Sequence, residues 1–134
     1  MNIGIIRIDE KVEEIAECLQ TLGIKRMSAR SLAGIHRLGT AKTRDIEKIS
    51  GLRQPEVSVG VKDLIRRGWV SESQEKQVGK GRPNKVYKLK VGFDKVLANI
   101  TLTKNDERNK VAESIIKLKI MSKKTRSITY TKQV

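Results

Sequence analysis

The sequence predicts a mainly α-helical fold with a small β-hairpin, an α+β class with additional helices at both ends. Apolar residues recur at helical spacing in four short segments between residues 9 and 67. After Gly68 the spacing becomes that of strands, and after Gly92 it returns to that of helices. The length of 134 residues fits one compact domain with a helical extension.

The first two helices are amphipathic. The first covers residues 9–22 and combines an apolar face with four glutamates before Gly23 ends it. Ser28 is the predicted N-cap of the second helix, which Gly39 closes. The apolar faces of the two helices are expected to pack together.

A short third helix is predicted to begin at Thr43 as its cap and to end in a tight turn at Gly51. Pro55 suits the first turn of a fourth helix, because its fixed φ and missing N–H cost nothing there. Gln54 is therefore the predicted cap of a helix that runs to about Arg67.

The fourth helix has two unlike edges. Stepping 100° per residue places Val57, Val61 and Leu64 on one side. Gly60 flanks that apolar edge and leaves room for a neighbouring helix to come close. The outward residues are Pro55, Val59, Lys62 and Arg66.

Two strands are predicted, one from Trp69 to about Gln74 and one from Lys85 to about Val91. The connection, residues 76–85, is rich in glycine and cations and forms a basic hairpin tip.

Beyond residue 92 the sequence predicts helices over 93–100 and 105–121, and a mobile tail or weak strand over 122–134. We therefore expect a first domain over residues 1–91, which includes the N-terminal helix, and a helical extension with a basic tail over 92–134.

The net charge of +14 makes nucleic acid the leading partner. Residues 1–75 hold 13 cations and 11 anions, whereas residues 76–134 hold 16 cations and 4 anions. The positive field therefore arises mainly from the second half.

Several classes of function find no support in the sequence. A single cysteine, Cys18, and a single histidine, His36, provide no disulfide and no metal-ligand cluster. No nucleotide-binding motif, export signal or apolar run of about 20 residues is present. We expect a cytoplasmic protein that is not an enzyme and needs neither cofactor nor metal.

The predicted order of three helices and a hairpin is that of a winged helix-turn-helix domain, whose recognition helix enters the major groove of DNA. Residues 54–67 would be that helix. Glutamine can bond adenine, lysine can reach guanine, and a valine methyl can touch the thymine methyl. Glu56 is favoured in the first turn by the helix dipole, although it could also accept from cytosine.

The wing, residues 76–85, presents Arg82 between Gly81 and Pro83, with Lys80 and Lys85 nearby. A narrow basic loop of this kind suits the minor groove or the DNA backbone. The predicted DNA-binding residues are Thr43, Arg44, Arg53, Gln54, Pro55, Ser58, Val59, Lys62, Arg66, Lys80, Arg82 and Lys85.

The run TRDIEKISGLRQPEVSVGVKDLIRRGWV followed by GKGRPNKVYKL resembles the winged-helix transcriptional regulators of archaea, in the broad MarR, ArsR and TrmB-like group. The resemblance covers about residues 28–91, and it implies sequence-specific binding of double-stranded DNA, usually as a homodimer. The family's recognition positions carry over to Gln54, Pro55, Ser58, Val59 and Lys62, and its wing arginine to Arg82. At Val59 the chain departs from many relatives, which carry a basic side chain there.

Two alternatives remain open at this stage. A charge of +14 would also suit an RNA-associated or ribosome-associated basic protein, or an architectural DNA-binding protein without sequence preference. The apolar faces of residues 9–22 and 105–121 are candidate dimer contacts, although both could simply pack on their own domain.

Overall fold

A computed structural model of the chain describes residues 9–75 and 83–133, the last ten of them as backbone only. The elements are α1 (Glu10–Thr21), α2 (Arg26–Leu38), β1 (Thr40–Lys42), α3 (Thr43–Ser50), α4 (Gln54–Arg66), β2 (Val70–Glu75), β3 (Asn84–Leu89) and α5 (Phe93–Gln133). The chain divides into two compact units, Met1–Val96 and Leu97–Val134. The element order confirms the predicted mainly α, winged helix-turn-helix class.

The first unit contains a three-stranded antiparallel sheet in the order β1-β3-β2. Tyr87 in the central strand pairs with Ala41 of β1 and with Glu72 of β2. The sequence predicted only the two-stranded hairpin. Strand β1 was missed because three residues between a helix-ending glycine and the next helix are too few to show an alternating pattern.

Helix α2 lies at the centre of the first unit and packs against α1, α3 and α4. Its Leu32 and Ile35 are completely buried. Trp69 and Tyr87 are also buried, so these aromatics belong to the core and do not form an exposed stacking surface. Strands β1 and β3 contact α2 and α3, and β2 contacts α4.

The predicted helix starts were wrong by one to three residues. Ser28, Thr43 and Gln54 were the predicted caps, whereas Lys25, Lys42 and Arg53 are the N-cap residues. In α3 the backbone N–H of Lys42 donates to Asp45 at 3.0 Å, and in α4 that of Arg53 donates to Glu56 at 3.0 Å. A carboxylate in the first turn therefore satisfies the cap backbone, where the Thr43 hydroxyl was the expected cap of α3 and the Gln54 side chain that of α4.

The helix ends, by contrast, lie where glycine predicted them. Gly39 has φ of 83° and Gly51 has φ of 75°, a backbone region that side chains with a Cβ rarely adopt. Helix α4 ends at Arg66, one residue before the predicted end, and the strands β2 and β3 are each offset by one or two residues from their predicted bounds.

Helix α5 corrects three expectations at once. It is continuous from Phe93 to Gln133, where two helices and a mobile tail or weak strand were predicted. No glycine or proline follows Gly92, so nothing in the sequence forces an interruption. The hydroxyl of Thr101 donates to the Leu97 carbonyl at 2.9 Å, which accommodates this β-branched residue within the helix.

Candidate nucleic-acid interface

Helix α4 buries one edge and exposes the other. Val57, Val61 and Leu64 lie in the core, whereas Val59 is 55% exposed. Gln54, Pro55, Lys62 and Arg66 are also exposed, and Ser58 is half-buried. The predicted recognition residues therefore form a continuous surface along one side of the helix, apart from the partial burial of Ser58.

Gly60 sets how closely α4 approaches α2. A Cβ at this position would lie 2.4 Å from the Met27 carbonyl oxygen and 2.6 Å from Ser31 Oγ. These distances are far below van der Waals contact, so only glycine fits without moving a backbone. The glycine therefore sets the distance between α4 and α2, and with it the position of the exposed edge of α4.

The turn between α3 and α4 is held by side chains from two helices. The backbone N–H of Leu52 donates to Ser50 Oγ at 3.2 Å, and the Ser50 carbonyl accepts from Arg30 at 2.8 Å. Arg30 also contacts Glu13 of α1 at 3.5 Å. This cluster ties the helix-turn-helix to the rest of the core and orients the start of α4.

Glu56 is engaged inside the protein. It accepts from the backbone of Arg53 and from the Arg26 guanidinium, each at 3.0 Å. The backbone hydrogen bond from Arg53, aided by Arg26 and opposed by desolvation, holds the pKa of the Glu56 carboxyl below its ordinary value. These contacts favour the capping role of Glu56 over the readout of cytosine.

A second carboxylate lies toward the other end of α4. Asp63 accepts from Ser28 Oγ at 2.7 Å and from Arg67 Nε at 3.0 Å, and it pairs with Arg66. Burial alone would raise the pKa of Asp63, but the hydrogen bonds from Ser28 and then from Arg67 and Arg66 outweigh it, so the pKa lies below its ordinary value. We name these four residues the Asp63 cluster.

Residues from four elements, β1, α3, α4 and β3, meet in a polar cleft of about 490 Å³ beside the start of α4. Four predicted site residues line it: Thr43, Arg44, Gln54 and Lys85. Lys42 and Asn84 line the same cleft and were not predicted. The missed strand β1 explains the omission of Lys42, since its pairing with Val86 brings Lys42 beside the start of β3, where Asn84 and Lys85 lie.

Lys80 and Arg82 lie outside the described residues, so the predicted wing contacts remain predictions.

The sequence analysis omitted Arg26 and Arg67 from the site. The signal for Arg67 was readable, because Asp63 precedes Arg66 and Arg67 by three and four residues, the spacing of helical ion pairs. Arg26 lies 30 residues from Glu56, and no local pattern predicts that pair.

Within residues 9–75 and 83–133, no group of three or more histidine, cysteine or acidic side chains is arranged to hold a metal ion. No helix in this part of the chain is both long and apolar enough to cross a bilayer.

Comparison with known proteins identifies a family that matches this chain. Residues 19–90, more than half of the chain, match the family described as sugar-specific transcriptional regulator TrmB. No curated protein matches the chain.

Several solved structures share the fold, including the following two. TrmBL2, described as an archaeal chromatin protein with a novel mode of DNA binding, has a TM-score of 0.59 at 18% identity, with 81% of this chain and 39% of that chain covered. A possible transcriptional regulator from Methanosarcina mazei Go1 has a TM-score of 0.58 at 17% identity, with 78% and 86% covered. The present chain therefore spans well under half of the TrmBL2 chain.

Proposed function

Because the chain belongs to the TrmB family of winged-helix transcriptional regulators, which implies DNA binding, we propose that it reads a specific sequence in double-stranded DNA. Helix α4 lies in the major groove, and residues 76–85 lie at the minor groove or the backbone. The observation that carries this proposal is the exposed edge of α4, where Gln54, Val59 and Lys62 face solvent while the opposite edge of the helix is buried in the core.

The chemistry along this edge suits base readout. Gln54 can bond adenine through two hydrogen bonds, Lys62 can reach the guanine acceptors, and Val59 can contact the thymine methyl group. These three residues distinguish base pairs by their edges, so they set the preferred sequence.

Cations around the edge are suited to phosphates. Arg53 and Arg66 flank the edge on α4, and Arg44 and Lys85 line the polar cleft beside it. Thr43 in the cleft can donate a hydroxyl hydrogen bond to a phosphate oxygen. Such contacts fix the register of the protein on the duplex and give affinity without sequence information.

We further propose that the protein binds DNA as a homodimer. A recognition helix on each of two copies reads two half-sites about 34 Å apart, one turn of DNA. The second unit exposes an apolar surface that suits the join: Val111 is 57% exposed, Ile115 48% and Leu118 64%. A regulator of this kind acts on the chromosome, and the cytoplasm remains the proposed compartment.

The DNA-binding proposal is tested by titrating a fluorescent duplex with the protein at several salt concentrations. With about six neutralised phosphates, log K is expected to fall with log salt at a slope near −5. Lys62→Ala is expected to relax base preference, and Arg82→Ala to weaken binding to all sequences. Lys11→Ala, an exposed change on α1, is the matched control and should bind like the wild type. Full affinity and unchanged preference in both site variants would contradict the proposal.

The dimer is tested by sedimentation of Ile115→Asp against Asn109→Asp, an exposed polar position on the same helix. Burying one large aliphatic side chain contributes about 1.5–3 kcal/mol, and a symmetric join buries two. Because Ile115 is already about half-buried in one copy, about half of that gain is available, and Ile115→Asp is expected to raise the dimer dissociation constant at least about tenfold, since every 1.4 kcal/mol is about tenfold. An unchanged constant would exclude this face from the join.

A second candidate is an architectural DNA-binding protein without sequence preference. The net charge of +14 and the fold shared with a chromatin protein favour it. Selection from a random duplex pool separates the two candidates, because an enriched motif supports the regulator and the absence of enrichment supports the architectural protein.

A further inference from the structure

Asp63 places a negative charge at the border of the surface that meets DNA. The residue lines a cavity of about 260 Å³ together with Val59, Arg66 and Arg67. A duplex approaching the exposed edge of α4 therefore meets a carboxylate as well as cations. Carboxylate and phosphate oxygens compete for the same guanidinium donors.

Building on the proposed DNA binding, we propose that Asp63 limits sequence-independent binding by holding Arg66 and Arg67 away from phosphates. The two arginines and the carboxylate carry a net charge of +1, where two free arginines would carry +2. Because phosphate contacts supply essentially all of non-specific affinity, removing one available cation lowers that affinity for every sequence.

The carboxylate is anchored and the arginine is not. The Asp63 side chain is 18% exposed, and Ser28, which donates to it at 2.7 Å, is buried. Arg66 is 77% exposed and can swing toward solvent. The pKa of Asp63 below its ordinary value keeps the carboxylate charged at neutral pH. A phosphate must therefore displace a fixed and charged competitor to recruit Arg66.

Asp63→Asn removes the charge and retains an amide oxygen that can accept from Ser28. If one guanidinium becomes available, the salt slope steepens by about 0.9. Over a fourfold change from 50 to 200 mM salt, that slope is an additional loss of affinity of about 3.5-fold. We expect the variant to bind random-sequence duplex more tightly than the wild type at the lower salt concentration.

The test is a salt series on random-sequence duplex with the wild type, Asp63→Asn, Glu17→Gln and the double variant Asp63→Asn/Arg66→Ala. Glu17→Gln changes the net charge equally at an exposed position on α1. The proposal expects tighter and steeper binding for Asp63→Asn, little change for Glu17→Gln, and loss of most of the gain in the double variant. Equal behaviour of Asp63→Asn and Glu17→Gln would overturn it.

Thermal unfolding followed by circular dichroism checks that each variant is folded. A further comparison leaves Asp63 in place: no ion pair joins Arg44, a proposed phosphate contact, to another residue of the described ranges, so Arg44→Ala should reduce the salt slope by about 0.9. Arg66→Ala should reduce it by much less, because its charge is already offset. Equal reductions would also overturn the proposal. A wild type without salt-dependent duplex binding would overturn the proposed function and this inference together, whereas the outcomes above overturn the inference alone.

Discussion

Gly60→Ala tests whether the close approach of α2 and α4 holds the fold together. The added Cβ would lie 2.4 Å from the Met27 carbonyl oxygen and 2.8 Å from its carbon, both backbone atoms. A backbone cannot turn aside as a flexible side chain can, so the two helices must separate. The exposed edge of α4 would shift with them.

The magnitude follows from two opposing terms. Overpacking typically costs about 1–3 kcal/mol, and a clash with backbone belongs at the upper end. Alanine in a helix interior recovers about 1 kcal/mol relative to glycine. The expected net loss is about 2 kcal/mol, which lowers Tm by roughly 8–16 °C for a unit of this size.

Gly34→Ala is the matched control, because it adds the same methyl group inside a helix. Its Cβ would lie 3.0 Å from Ile49 Cγ2, a side-chain atom that can shift by a few tenths of an ångström. Helix propensity offsets much of that cost, so stability should change by less than about 1 kcal/mol. Urea and thermal unfolding measure both variants. A Gly60→Ala protein as stable as the wild type would refute the packing argument.

Three further predictions concern the contacts that orient the site. Acid should destabilise the first unit, because the pKa values of Asp63 and Glu56 are lowered in the folded state. The stabilisation from these two carboxylates is complete above their ordinary pKa values of 3.8 and 4.5 and is lost as pH falls through the folded values. Urea titrations from pH 7 to 3 would measure this loss. Asp9→Ala should cost about 1 kcal/mol in thermal unfolding, because it removes the N-cap of α1. Arg30→Met should cost about 1–3 kcal/mol in urea unfolding, because the Ser50 carbonyl loses its donor.

Each of these predictions has an outcome that contradicts it. Stability that is flat from pH 7 to 3 would show that the lowered carboxyl pKa values do not contribute. Glu14→Ala is the control for Asp9→Ala, because it lies exposed on the same helix. Equal losses in those two variants would exclude a capping effect. An Arg30→Met protein that unfolds like the wild type would remove Arg30 from the account of the turn.

The sequence predicted which edge of α4 is buried, because helical periodicity is a local property. Val57, Val61 and Leu64 recur at the period of the helix, and all three are buried. The role suggested for Gly60 followed from its place beside that face, and the short distances to Met27 support it. Helix ends were equally readable, since the glycines at positive φ carry their own signal.

What the sequence did not predict depends on contacts between distant residues. Strand β1 exists because Ala41 can pair with Tyr87, and three residues alone carry no pattern. The bond between Ser28 and Asp63 joins residues 35 positions apart, so Ser28 was taken for a cap. The continuous α5 was missed for a different reason, because its polar middle weakened the apolar period without containing a residue that stops a helix.

The central claim, that the exposed edge of α4 lies against the bases of a duplex, is tested most directly by site-specific photocrosslinking. A photoreactive phenylalanine derivative is placed at Val59, which is 55% exposed, and in a second protein at Glu17 on α1. We predict crosslinks to DNA bases from position 59 and none from position 17. Crosslinks from position 17 with none from position 59, in protein that binds the duplex normally, would contradict the claim.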